Sequence, residues 1–231
     1  MAILYLIPTT LNPDITSSSL IPSQNEQIKH LTHFIVETAK IGRMHLKQLN
    51  LNTSLQQLNI FELNKHKQDY SALIKPLVDG HDVGLISDCG CPAIADPGSR
   101  VVSIAHEMGF NVVPFVGPSS IILTLMASGL NGQNFSFIGY LPGEPNARKS
   151  KLKELELKIL RERETFIFIE APFKNQKTLD SMLQALNGEV KICLGINLMT
   201  QNEKIITKTV KAWKNQQLNL DKQEVIFLIG Q

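Results

Sequence analysis

The sequence predicts an α/β protein organised as two domains, and three observations carry that prediction. Short apolar, β-branched runs alternate with longer amphipathic ones from residue 3 to about residue 115. Beyond Phe115 the alternation continues through a charged helical segment, then gives way to β-rich sequence with polar links over the last 43 residues. The length of 231 residues suits one large domain or two small ones.

In the first half, strands are expected at 3–7, 33–36, 58–62, 83–87 and 112–115, with helices near 24–32, 39–49, 67–79 and 99–109. Between Gln68 and Val78 the helical period places Leu73, Ile74, Leu77 and Val78 on one face. Strand–helix–strand repetition with short links implies a mostly parallel sheet covered on both faces. Right-handed crossovers then put functional loops at the carboxyl ends of the strands. In the second half a helix near 119–129 leads to a strand at 135–139 and a Pro/Gly/Asn loop at 141–147. Residues 148–163 follow as an exposed helix, with Lys153/Glu156 and Glu154/Lys158 at pairing distances. A strand at 165–169 precedes a helix at 178–186 that Asn187-Gly188 would end. Runs at 190–196, 204–210 and 224–229 read as antiparallel strands. The boundary falls at about 115–118, giving domains 1–116 and 117–231.

Composition narrows the function. Hydrophobic residues at 43% exclude a disordered chain. A formal charge of +2 excludes a histone-like binder while leaving room for a local basic patch. Only 19% of residues are charged, so 16 Asn and 14 Gln make up much of the polar surface. Three cysteines, without a secretory leader, point to a reducing cytoplasm and no disulfide framework. The uncharged stretch from Met108 to Gly143 is broken by glycines and prolines, leaving an apolar run at 121–130 too short for a membrane span.

The densest unusual motif is Ile86-Ser-Asp-Cys-Gly-Cys-Pro-Ala-Ile-Ala-Asp-Pro-Gly98, a strand running into a loop. Gly90 permits close backbone approach to a ligand. Asp96-Pro97-Gly98 reads as a type II turn, and Ser99 as the cap of the next helix. Cys89 and Cys91 lack the further paired ligands of a structural zinc site, so no metal is expected. Val116-Gly-Pro-Ser-Ser120 again follows a strand and opens a helix whose free N–H groups suit a polar ligand group. The first loop, Pro8-Thr-Thr-Leu-Asn-Pro-Asp14, holds no glycine, which excludes a P-loop or a dinucleotide fingerprint. Glu170-Ala-Pro-Phe-Lys174 places a carboxylate at a strand end. Together these loops describe a small-molecule cleft between two α/β domains, held largely by backbone.

The 86–98 motif resembles the ISDAGTPLISDPG signature of the ribosomal small-subunit RNA 2′-O-methyltransferase I family, within the tetrapyrrole methylase superfamily. Val116-Gly-Pro-Ser-Ser120 with Met126-Ala-Ser-Gly-Leu130 resembles its VxGPSA…ASGL, and 135–142 (FSFIGYLP) its FxFxGFLP. Phe168-Ile-Glu-Ala-Pro172 is similar to its FYESP, and Leu4–Thr9 with Asp14-Ile-Thr16 to its opening. The matches run in family order over nearly the whole chain.

The resemblance implies a homodimer and S-adenosylmethionine bound between the domains. Cys89, Gly90 and Cys91 would line the cofactor with backbone atoms, with Ile94 beside them. Ser119 and Ser120 would hold its polar end, Glu170 the opposite wall, and Pro8 the place after the first strand. There are departures. The first loop is short, the family's EDTR is Glu37-Thr-Ala-Lys40, its ESPHR is Glu170-Ala-Pro-Phe-Lys174, and the sequence stops about fifty residues sooner.

In-line methyl transfer depends mainly on positioning. A hydroxyl acceptor also needs a base, for which Asp88, Asp96, Glu37 and Glu170 are candidates and Glu37 and Asp88 the first choices. Arg43, Lys47, Arg100, Arg148, Lys149 and Lys174 are candidates to line an RNA path. The expected function is S-adenosylmethionine-dependent methyl transfer, on the 2′-oxygen of ribosomal RNA. Its alternatives are a small tetrapyrrole-like acceptor, or a non-catalytic S-adenosylmethionine-binding protein.

Overall fold

A computed structural model describes residues 2–12, 14, 19–63 and 69–231. Contacts divide the chain into two compact units, Met1–Ser119 and Ser120–Gln231. Lys67 and Gln68 of the expected third helix, and Pro13, Ile15 and Thr16 of the first loop, lie outside the described residues.

Unit 1 contains β1 (Ile3–Ile7), α1 (Pro22–Ile28), β2 (His33–Val36), α2 (Ala39–Leu46), β3 (Asn59–Glu62), α3 (Tyr70–Val78), β4 (Val83–Ile86), α4 (Ser99–Glu107) and β5 (Asn111–Pro114). Its five strands are all parallel, in the order β3-β2-β4-β1-β5, as the alternating pattern requires. The pleat sends successive side chains to opposite faces. Leu4, Ile35 and Leu85 pack with Leu73, Ile74 and Leu77 of α3 and with Val101 and Ala105 of α4. Ile7, Phe34, Val36 and Ile86 pack on the other side with Ile28 of α1 and Leu46 of α2.

Helix α1 is earlier and shorter than expected because Pro22 takes the first helical position, where its missing N–H costs nothing. Asp69 caps α3 by accepting from the amides of Ser71 (3.0 Å) and Ala72 (3.4 Å). Val78, expected on the buried face of α3, is exposed at its last turn.

Unit 2 contains α5 (Ser120–Ser128), β6 (Phe135–Tyr140), α6 (Pro145–Glu162), β7 (Thr165–Ile169), α7 (Asn175–Ala185), β8 (Lys191–Ile196), β9 (Lys204–Thr209), α8 (Val210–Trp213) and β10 (Val225–Gly230). The sheet order is β6-β7-β10-β8-β9. Only β6 and β7, joined across α6, are parallel, and the remaining pairs are antiparallel as expected. The main core places Leu152, Leu155 and Ile159 of α6 and Leu179 and Met182 of α7 against Phe168, Leu194 and Phe227. The expected pairs on α6 form, Lys153–Glu156 at 2.7 Å and Glu154–Lys158 at 3.8 Å, while a buried apolar stripe makes the helix less exposed than its charge suggests. Helix α7 ends one residue before an extended Leu186, so Asn187-Gly188 is not its cap.

The second face of this sheet is covered by α5, so closely that a Cβ on Gly195 of β8 would lie 2.3 Å from Thr124 Oγ1. Thr124 is held in place by donating its hydroxyl to the Ser120 carbonyl at 2.8 Å. Gly195→Ala should therefore overpack this contact and cost about 1–3 kcal/mol in a denaturant melt.

Candidate functional site

The loops at the carboxyl ends of β1, β2 and β4 converge on Asp88 and Gly90. Gly90 has φ +75°, a conformation available to glycine at little cost, and a Cβ there would lie 3.1 Å from Leu11 Cδ2 and 3.3 Å from the Pro118 carbonyl oxygen. The first loop is tied to this turn: Thr9 N donates to Gly90 O at 2.9 Å, and Ser87 Oγ donates to the same oxygen at 3.1 Å. The 116–120 loop is tied to it through Cys91, whose thiol donates to Pro118 O at 3.3 Å. Burial pushes that thiol up from its ordinary pKa, which keeps it protonated and able to donate. Pro8 is buried, and a Cβ on Gly117 would sit 2.2 Å from its ring, so the residue that follows β1 packs its ring directly on the bare Gly117 backbone.

Beyond the turn the backbone is strained. Ala93 and Ala95 take left-handed φ values of 67° and 58°, each costing of order 1–2 kcal/mol for a residue with a Cβ. One Asp96 oxygen compensates by accepting from Ala93 N (2.8 Å) and Gly98 N (2.7 Å). Gly98 itself is right-handed at φ −64°, so the expected type II turn is absent, because the left-handed steps fall at the alanines instead. Gly98 also occupies the cap position of α4, leaving Ser99 as the first helical residue.

Three carboxylates gather around this loop. Asp88 accepts from Thr38 N at 3.0 Å through one oxygen and from Thr38 Oγ1 at 2.6 Å through the other. Glu37 Oε2 accepts from the Asp88 amide at 3.4 Å, and His45 Nε2 donates to the Asp88 carbonyl at 3.0 Å. His45 is 4% exposed and bridges α2 to the turn. Burial pushes the Asp96 carboxyl up from its ordinary pKa; the Gly98 and Ala93 amides pull it down, and the Glu37 and Asp88 charges add to the rise.

A raised folded-state pKa means that Asp96 contributes stability below the unfolded value, lost as pH rises through the folded value. Asp96→Asn keeps an oxygen for both amides and removes the charge. The variant should melt higher than the wild type at neutral pH, and the gap should close as the pH falls below the folded pKa.

The remaining expected site residues are placed as follows. Cys89 and Ile94 are exposed on the loop, as is Val116 on the next one. Ser119 is half-buried at the end of unit 1. In unit 2, Ser120 is the first residue of α5, and Glu170 follows β7, its carboxylate accepting from the Ala171 amide at 2.9 Å. Among the described residues no three His, Cys, Asp or Glu side chains gather as a metal site would need. Arg148 cannot line an RNA path: it is 3% exposed and donates to the carbonyls of Pro142 (3.0 Å) and Gly143 (2.8 Å). Arg100 pairs with Glu107 at 3.2 Å, while Arg43, Lys47, Lys149 and Lys174 are exposed.

The structure tests whether these residues suit S-adenosylmethionine. Gly90 presents a surface that a side chain would fill, and the N–H groups of Gly90 and Cys91 have no acceptor among the described residues. Ile94 and Val116 add exposed apolar surface. Donor amides beside apolar groups match a ligand with a polar amino-acid end and an apolar base, so the residues fit.

No family model matches the chain. Among curated proteins, "Ribosomal RNA small subunit methyltransferase I" of Vibrio cholerae is 33% identical over 234 residues, covering 98% of this chain and 76% of that protein. The protein of the same name in Mesorhizobium japonicum is 37% identical, covering 98% and 74%, and that of Bacillus subtilis 31% identical, covering 94% and 71%. Two solved structures, the methyltransferase CobJ and the cobalt precorrin-4 methyltransferase CbiF, each superpose with a TM-score of 0.62 over 99% of this chain. They cover 93% and 94% of those chains, and at 12% and 13% identity the likeness is one of fold.

Proposed function

The chain belongs to the ribosomal RNA small subunit methyltransferase I family, and from that premise we propose that it transfers a methyl group from S-adenosylmethionine to a ribose 2′-oxygen of small-subunit ribosomal RNA. The observation that carries the cofactor part is the Gly90 turn, with its left-handed backbone, blocked Cβ position and donor amides.

When bound, S-adenosylmethionine supplies an electrophilic methyl group on a sulfonium. The amides of Gly90 and Cys91 would hold its polar part, with Ile94, Cys89, Pro8 and Ser119 beside it. Glu37 accepts the proton of the ribose hydroxyl. Asp88, with one oxygen committed to the Thr38 amide and the other to its hydroxyl, positions Glu37 and the turn. Both Asp88 oxygens accept from Thr38, which supports a positioning role for that carboxylate beside Glu37.

The RNA acceptor is supported by the names of the relatives over the small tetrapyrrole-like alternative, for which only distant likeness of fold speaks. Three cysteines, none of them in a disulfide, fit a reducing compartment. A homodimer, as the family resemblance implies, completes the proposal. Calorimetric titration of the chain with S-adenosylmethionine should show saturable binding. No heat at millimolar cofactor would overturn the reading and its non-catalytic alternative together.

A further inference from the structure

We propose that the outer edge of the unit 2 sheet, strand β9 with helix α8, is a docking track for the phosphate backbone of ribosomal RNA, built by Lys204, Lys208, Lys211 and Lys214. The inference rests on the RNA methyltransferase reading above and adds the surface that the substrate meets.

The overall charge of +2 conceals a division. Unit 1 carries 8 Lys and Arg against 10 Asp and Glu, a balance of −2, and unit 2 carries 15 against 11, a balance of +4. Within unit 2 the excess is concentrated between Glu189 and Gln217, where five lysines face only two glutamates. One of these, Glu203, already accepts from the Met199 amide at 2.6 Å.

Pairing separates this edge from much of the basic surface. Lys29, Lys75, Arg100, Lys151, Lys153 and Lys158 each sit within 4 Å of a carboxylate. Among the described residues, none of the four lysines at the β9–α8 edge has such a partner. Unpaired positive charge in one place is what counterion release from a polyanion rewards.

The edge is also rigid and linear. Strand β9 is the last in its sheet and pairs only with β8. Lys204 and Lys208 lie four residues apart on one face, about 13 Å along the strand. Lys208 Nζ rests 5.8 Å from the Trp213 ring. Trp213 is buried and donates to the Ile192 carbonyl at 2.9 Å, which pins α8 to the sheet. Lys211 and Lys214, three residues apart, carry the charge onward from the strand. The exposed amides Asn215, Gln216 and Gln217 follow, a residue type that bonds phosphate oxygens without adding charge.

Lysines on an edge strand have a rival role, that of blocking edge-to-edge association of sheets. The two roles separate in one experiment on the full chain. The Lys208→Gln/Lys211→Gln/Lys214→Gln variant and a triple arginine variant are titrated with small-subunit ribosomal RNA at several salt concentrations, with light scattering in parallel. The glutamine variant should bind at least about tenfold more weakly near 0.1 M salt, and its slope of log K against log salt should be shallower by about 2, at roughly 0.7 per lost contact. The arginine variant should keep the wild-type slope. Wild-type affinity and slope in the glutamine variant, with new self-association, would overturn the track in favour of edge protection and leave the enzymatic reading intact. A wild-type chain that binds no ribosomal RNA would overturn the RNA reading itself and the track with it.

Discussion

Valine at position 90 should eliminate measurable S-adenosylmethionine binding. Gly90 sits at φ +75°, where a β-branched residue is a true outlier, and its Cβ would press on Leu11 and on the Pro118 carbonyl. Leu11 can give way, because the contact is the far end of a flexible side chain. The Pro118 oxygen is backbone and also accepts from the Cys91 thiol, so relief there must move the 116–120 loop. Alanine at the same position carries the left-handed penalty of about 1–2 kcal/mol without the branched bulk. The expected series is therefore graded: wild-type binding, about tenfold weaker binding for Gly90→Ala, and none for Gly90→Val. Calorimetry reads the series, and a thermal melt of each variant separates lost binding from lost fold.

Glutamine at position 37 should reduce methyl transfer by about 10²-fold or more while leaving cofactor affinity within a few-fold, the loss expected when a proton acceptor is removed. Its side-chain oxygen still accepts from the Asp88 amide, so the loop keeps its shape. Asp88→Asn should behave differently. Thr38 offers one amide and one hydroxyl, and the hydroxyl can turn to accept from an asparagine NH₂, so the clamp survives without charge. Asp88→Asn should thus retain activity within a few-fold. Asp88→Ala, which leaves the Thr38 amide without its acceptor, should lose about 1–3 kcal/mol of stability together with cofactor binding. Turnover at saturating cofactor and RNA, measured for all three, checks the assignment. The reverse pattern, an inactive Asp88→Asn and an active Glu37→Gln, would exchange the two roles.

These contacts show where sequence stops being informative. Strands β2 and β7 begin and end as read, because each is an apolar run bounded by polar residues. The Gly90 turn was legible since glycine between small residues at a strand end has few other uses. Ala93 and Ala95 were not, for alanine gives no sign of a left-handed backbone and only the Asp96 side chain reveals what holds it. Thr38 and His45 lie 50 and 43 residues from Asp88, and no local pattern announces a contact at that separation. Arg148 looked like surface charge because a guanidinium satisfied by two carbonyls is indistinguishable in sequence from a solvated one. The lysines of β9 and α8 are visible as residues, yet their lack of acidic partners is a property of the folded edge alone.

The most direct measurement is transfer of a radiolabelled methyl group from S-adenosylmethionine to small-subunit ribosomal RNA prepared from cells lacking this gene. Label should appear in the RNA and, after nuclease digestion, in a single 2′-O-methylated nucleoside. Label confined to small molecules, or no label in RNA despite saturating cofactor, would contradict the proposed function.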